Sequence, residues 1–160
     1  MRERLRQFRE AGQLPREAHY AIARAHLPTP LFDLFAAQSP RDIVHSAGTA
    51  RWLIERGHDD TDLITAALLH DIGKGAQRRS DRVAYVVAGQ LRVARMLAKP
   101  GSRLEVKRAI ARSLMHGETS ASRLAEAGAS ERAVNLTRLH HAPPGQDPVL
   151  ALLQQADAAS

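Results

Sequence analysis

The chain has no cysteine. Disulfides and thiolate-ligated zinc are therefore excluded, and any metal must be held by imidazole and carboxylate. Aromatic residues make up only 4% of the sequence, so its positive charge lacks the stacking platform that single-stranded nucleic-acid binders use. Alternating β-branched runs are missing too, which leaves no candidate strand pattern. No apolar run approaches the roughly 20 residues of a membrane span. The first ten residues, MRERLRQFRE, carry charge where a signal peptide needs an apolar stretch. These absences predict a cytoplasmic protein with no membrane partner.

What remains is 160 residues, enough for one domain with one proper core. Ala, Leu, Arg and Glu dominate, as in helical proteins. Net charge is +6, and 20 of the 23 cations are arginine. Such a surface favours anionic partners such as nucleotides or RNA. Arg2, Arg4, Arg6 and Arg9 also fit the plainer reading of a solvated helix face.

Punctuation divides the chain into helices. Leu14-Pro15 opens one that reaches His26. A short helix after Pro28 and Pro30 carries Leu31, Leu34 and Phe35. Ser39-Pro40, an N-cap followed by proline at the first helical position, starts a helix to Arg56 that stops at Gly57. Asp60 or Thr61 caps an apolar helix ending at His70. Ser80 can cap a helix over 81–98, ended by Pro100-Gly101. Further helices are expected at 102–115, 118–127 and 131–139, with glycines 117 and 128 as separators. Pro148 begins the last. The expected fold is all-α, a helical bundle with an N-terminal helical extension (residues 1–38) packed on a core domain (residues 39–160).

His70-Asp71-Ile72-Gly73-Lys74 closes the apolar stretch Leu63-Ile64-Thr65-Ala66-Ala67-Leu68-Leu69. Buried polar groups are costly unless they are hydrogen-bonded, paired or metal-bound. Gly73 reads as the residue that ends the helix. A carboxylate at a helix C-terminus is disfavoured by the macrodipole, so Asp71 calls for a local cation, either Lys74 or a metal. The plainer alternative is a dipole-stabilised His70 with a solvated Asp71. His45 has small helix neighbours, Gly48 and Thr49, that let another helix approach. Asp157 continues a stripe with Leu150 and Leu153, or else is a frayed terminal residue. His116 precedes Gly117 at a helix junction. His140-His141 stand at a helix end, where both can turn toward one ion or both can face solvent. His19, His26 and His58 lack comparable context.

Taken together, His45, His70-Asp71 and Asp157 resemble the H…HD…D signature of the HD-domain phosphohydrolase superfamily. Residues 41–75 resemble that family's first two core helices, and the closing ALLQQADAAS resembles the helix carrying its last aspartate. The similarity covers roughly residues 40–158. It implies an all-α bundle around a central metal site, with His45, His70, Asp71 and Asp157 ligating one divalent ion. In the two-metal branches, further histidines bind a second ion. His116 matches the single histidine there and His140-His141 the pair, with Asp71 bridging. Lys74 matches a lysine that contacts substrate phosphate and, with Asp71, takes a catalytic role. Arg41 occupies a position where some members carry glutamate, and its place near His45 suggests substrate binding instead. No GYP motif follows His141, which argues against a cyclic-di-GMP phosphodiesterase. Lys74-Gly75-Ala76-Gln77 replaces the acidic element of the alarmone hydrolases.

The resemblance implies a metal-dependent phosphohydrolase acting on a phosphomonoester or phosphodiester, with a nucleotide as the expected substrate. A nitrogen and oxygen ligand set suits one or two ions of Mn, Fe, Zn, Co, Ni or Mg, which lower the pKa of bound water. Two other readings stay open. The same motifs resemble the HD domain of ribonuclease Y, although its coiled coil and RNA-binding module are missing here. A non-catalytic nucleotide-sensing domain could use the same pocket.

Overall fold

The computed structural model describes residues 14–75 and 100–160; the expected helix over 81–98 lies outside them. The described residues form seven α-helices and no strand. They are α1 Glu17–His26, α2 Thr29–Ala36, α3 Pro40–Ile54, α4 Thr61–Leu69, α5 Glu105–Glu126, α6 Glu131–Leu139 and α7 Pro148–Ala159. None of these helices is long and apolar enough to cross a membrane. The all-α expectation is met.

Local chemistry explains the starts. Ser39 Oγ accepts from the Asp42 amide, with Pro40 at the first helical position of α3. Asp60 caps α4 through the Leu63 amide at 2.8 Å. Ser130 caps α6 through Ala133 at 3.0 Å. Asp147 caps α7, taking the Val149 and Leu150 amides at 3.1 Å each. Each side chain satisfies donors that have no intrahelical partner. Pro30 sits in the first turn of α2, where its missing N–H costs no hydrogen bond, so it helps start that helix.

Helix α4 is the axis of the molecule. Leu63 through Leu69 are all buried, so every face of this helix packs against a neighbour. One apolar cluster joins Leu63, Ile64, Leu68 and Leu69 of α4 to Leu53 of α3, Leu124 of α5, Leu136 of α6 and Leu153 of α7. Ala23, Leu27, Leu31 and Phe35, from α1, α2 and the link between them, belong to the same cluster. Each fully buried leucine contributes about 1.5–3 kcal/mol.

Three helices run in the same sense. The N-terminal ends of α4, α6 and α7 are tied together by Ser130 Oγ–H to Asp62 at 2.6 Å and by a two-pronged Arg132–Asp147 pair at 2.8 Å. Their C-terminal ends therefore emerge together at the opposite end, where their dipoles are negative.

Two glycines behave differently from expectation. Gly117 does not separate two helices: α5 runs through it without a break. A Cβ there would stand 2.9 Å from the Arg138 carbonyl oxygen, so the glycine lets α6 approach. Gly73 does not end α4, which stops at Leu69 with His70 as its C-cap. Gly73 lies in the following 3₁₀ turn, Ile72–Lys74, where a Cβ would come 2.4 Å from the His116 carbonyl oxygen. Gly57, φ 81°, lies beyond the C-cap of α3, which ends at Ile54 rather than Arg56.

Candidate metal centre

The candidate ligands come from five places that the fold brings together. His70 and His140 use the same local device. Each is the C-cap of its helix, and each directs Nδ1 at the carbonyl three residues back, His70 to Ala67 at 3.0 Å and His140 to Thr137 at 2.6 Å. A carbonyl can only accept, so Nδ1 carries the proton and donates. The bond satisfies a carbonyl that the helix end leaves without a partner. It also turns Nε2 inward and, in the neutral ring, leaves its lone pair on that atom, as in many metal-ligating histidines.

Two groups of side chains face each other. The first is His45, His70 and Asp157, with one ligand atom from each within 4.8 Å of the others. His45 Nε2 lies 2.9 Å from Asp157 Oδ1, and His70 Nε2 lies 3.4 Å from the same oxygen. The second is His116, His140 and His141, equally compact. Here His116 Nε2 is 3.1 Å from Nε2 of both His140 and His141. In a coordination shell of about 2.1 Å radius, neighbouring nitrogens at right angles stand about 3.0 Å apart. One proton on His116 cannot satisfy two facing nitrogens by linear hydrogen bonds, whereas a cation satisfies all three lone pairs.

Asp71 stands between the groups. Its Oδ2 is 3.5 Å from His70 and 3.9 Å from His45. Its Oδ1 is 3.4 Å from His116 and 3.7 Å from His140. Lys74 Nζ reaches Oδ2 at 2.5 Å. Both Asp71 Oδ1 and His70 Nε2 are buried and have no hydrogen-bond partner among the described residues. Orphaned buried polar atoms are costly. Here they converge at the negative ends of three helices, an arrangement that a cation completes.

The electrostatics point the same way. Burial opposes a charge on His70, but Asp71 and Asp157 outweigh it and raise its pKa to about 9. Burial also opposes charge on Asp71 and Asp157. The histidines around them, with Lys74 beside Asp71, nonetheless hold both well below the usual carboxylate range. Without a metal, a proton on His70 serves as the site's cation. Burial first, then the neighbouring imidazoles of His70 and His141, lowers His140 to about 3, so this imidazole is neutral across the physiological range. Burial and His116 lower His141. Neutral imidazoles and ionised carboxylates are the forms that bind metal. The residues present fit a divalent ion.

The family model for the HD domain matches residues 43–160. The chain belongs to the HD-domain superfamily of metal-dependent phosphohydrolases. No curated protein and no solved structure matches it. The match contains the seven candidate ligands of this HD domain and Lys74, and it leaves out Arg41.

The structure brings His45, His70, Asp71, His116, His140, His141, Asp157 and Lys74 into one cluster. His116 lies within α5 rather than at a helix junction. Asp157 is in the last turn of α7, held by His45 rather than frayed. Arg41 is exposed on α3, one turn before His45. His19 is buried away from the cluster, where its Nδ1 accepts the Arg16 amide at 2.8 Å. Sequence reasoning missed Ser120 and Arg123. Ser120 Oγ, fully buried, accepts the Gly73 amide at 2.8 Å, and Arg123 donates to the Ile72 carbonyl at 3.2 Å. Both pin the Asp71 turn onto the helix that carries His116. Their signal was the spacing 116, 120, 123, which places all three on one face of α5.

Proposed function

We propose that this HD domain hydrolyses a phosphomonoester or phosphodiester in a metal-dependent reaction, with a nucleotide or related small phosphate ester as substrate. The observation that carries the reading is Asp71, whose two oxygens face two separate groups of nitrogen and oxygen donors. His45, His70 and Asp157 would hold one divalent ion, His116, His140 and His141 a second, and Asp71 would bridge them. A bound divalent ion supplies Lewis acidity, which lowers the pKa of coordinated water and draws charge from the phosphoryl oxygens.

The chain's own residues supply the rest. The Nδ1–H bonds of His70 and His140 lock both rings with Nε2 inward. Asp71 stays ionised and can orient a water as well as bridge. The Lys74 side chain is 28% exposed while its ammonium touches Asp71. It can therefore meet a phosphoryl group arriving from solvent and neutralise charge on it. Arg41, exposed one turn before His45, is the second cation proposed to bind substrate. The nucleotide assignment rests on the family and on the net charge of +6. That charge also favours the second reading, cleavage of RNA or short oligonucleotides.

The test is elemental analysis of the purified protein followed by a phosphate-release screen with added Mn, Ni, Co and Mg. Metal binding and metal-dependent turnover are expected, with mononucleotides preferred to oligonucleotides. A double variant with His70→Ala and Asp71→Ala that still hydrolyses phosphate esters would overturn the mechanism. Stoichiometric metal with tight nucleotide binding and no turnover across a broad panel would identify a sensor instead.

A further inference from the structure

We infer that Gln38, which lies outside the family match, is a positioning residue for the His45–His70–Asp157 group. Gln38 is the single residue between the C-cap of α2, Ala37, and the N-cap of α3, Ser39. Its amide makes two contacts, to residues 8 and 30 positions away. Nε2 donates to the Leu68 carbonyl at 3.1 Å, and Oε1 accepts from Ser46 Oγ at 3.2 Å. The orientation is unambiguous, because a carbonyl can only accept and so must meet the amide N–H.

The partners are what give Gln38 a role. Ser46 is fully buried and follows His45 on α3. Leu68 lies two residues before His70, in the last turn of α4, where carbonyls lack an intrahelical partner. The adjacent carbonyl, Ala67, is the one that takes His70 Nδ1. One planar amide thus ties the backbone that aims His70 to the residue beside His45. Apolar packing between α3 and α4 is non-directional and tolerates small shifts. Two hydrogen bonds through a rigid amide fix the relative placement of the two imidazoles. Partners bonded directly to metal ligands govern affinity by about 10–100-fold. Gln38 acts one step further out, through the residues beside His45 and His70, so the low end of that range is expected.

This inference rests on the metal-centre reading. It is tested by calorimetric titration of Mn²⁺ into metal-stripped full-length protein, comparing wild type with Gln38→Glu, Gln38→Ala and Ser46→Ala. Thermal melts of the same metal-free samples run alongside. Gln38→Glu is the diagnostic variant: it keeps the size and the acceptor for Ser46, but an ionised carboxylate cannot donate to Leu68. Both Gln38 variants are expected to weaken one Mn²⁺ binding event by about tenfold. Activity lost at limiting Mn²⁺ should return at saturating Mn²⁺. Ser46→Ala, with only one hydroxyl removed, should weaken binding at least threefold. Affinities within twofold of wild type, with only the melting temperature lowered, would show that Gln38 merely supports the fold and would overturn the inference. Should the Gln38 variants not fold, Ser46→Ala decides by the same criterion. Wild type that binds no metal after reconstitution would instead overturn the metal-centre reading itself.

Discussion

Asp71 carries the most at the scale of single residues. It is buried at the end of a helix, it is ionised, and each of its oxygens faces two imidazoles. Asp71→Asn keeps the shape and removes the charge shared by both groups. Elemental analysis should show the metal content falling by at least one ion per chain, with turnover reduced by about a thousandfold or more. Asp157→Asn, which touches only the first group, should leave one ion bound. Lys74→Ala should raise KM for a phosphate ester by about tenfold while metal content stays at the wild-type level. An equal loss of metal in Lys74→Ala would assign the lysine to the metal site instead. The ionisable residues were legible because histidine and aspartate are scarce in buried helices and stand out at an apolar helix end. Gln38, Ser120 and Arg123 were not. A polar or arginine side chain at helical spacing is common, and only a partner 30 or more residues away gives it meaning.

At the scale of elements, glycine chemistry separates two effects that look alike in sequence. Gly57 has positive φ and open space, so Gly57→Ala introduces only backbone strain, about 1–2 kcal/mol. Gly73 has no such φ, but a Cβ would overlap the His116 carbonyl oxygen and the Ser120 amide nitrogen at 2.4 and 2.7 Å. Gly73→Ala should cost about 1–3 kcal/mol from overpacking. It should also weaken metal binding, because the displaced turn carries Asp71 and the displaced helix carries His116. Denaturant melts and metal titrations of the two variants check this: equal metal affinities would remove Gly73 from the site's scaffold. Ser120→Ala leaves the Gly73 amide without its acceptor and should cost about 1–3 kcal/mol. The helix starts were readable because caps are local chemistry, as at Ser39 and, narrowed to Asp60 or Thr61, at the start of α4. Gly117 was misread because a glycine that breaks a helix and one that admits a neighbour look identical until the neighbour is placed.

At the scale of the whole molecule, the described helices converge on a site that would hold a cation. Three helices start together at a side-chain-linked end and finish together at the centre, so their negative ends reinforce two ionised carboxylates. In metal-free protein a proton on His70 fills that role, and its pKa rises from 6.5 to about 9. The stability that this proton provides is fully present below about pH 6.5 and is lost as pH rises through about 9. Metal-stripped protein should therefore melt at lower temperature at pH 9.5 than at pH 7, whereas metal-loaded protein should not show that loss. Metal and proton compete for the same place, so metal affinity should rise by up to tenfold per pH unit until about pH 9. An affinity flat from pH 6.5 to 9 would count against the competition. At the far end, Arg132 and two α7 amides lower Asp147 to about 2, so that cap should hold above pH 4 and weaken as pH falls toward 2.

The sequence by itself determined the class of fold and the chemistry of the donors available to the candidate centre. Helix formers, caps and a buried apolar segment dictate an all-α chain, and without cysteine only histidine and carboxylate remain as ligands. Their order along the chain was enough to suggest the family. Tertiary structure alone decided which oxygen of Asp71 faces which group, that α5 runs unbroken past Gly117, and that the segment before the family match reaches the site through Gln38. Local propensities act over a few residues and can be read one stretch at a time. Close approach, shared carboxylates and long-range hydrogen bonds depend on residues 21 to 112 positions apart, which become neighbours only when the whole chain packs.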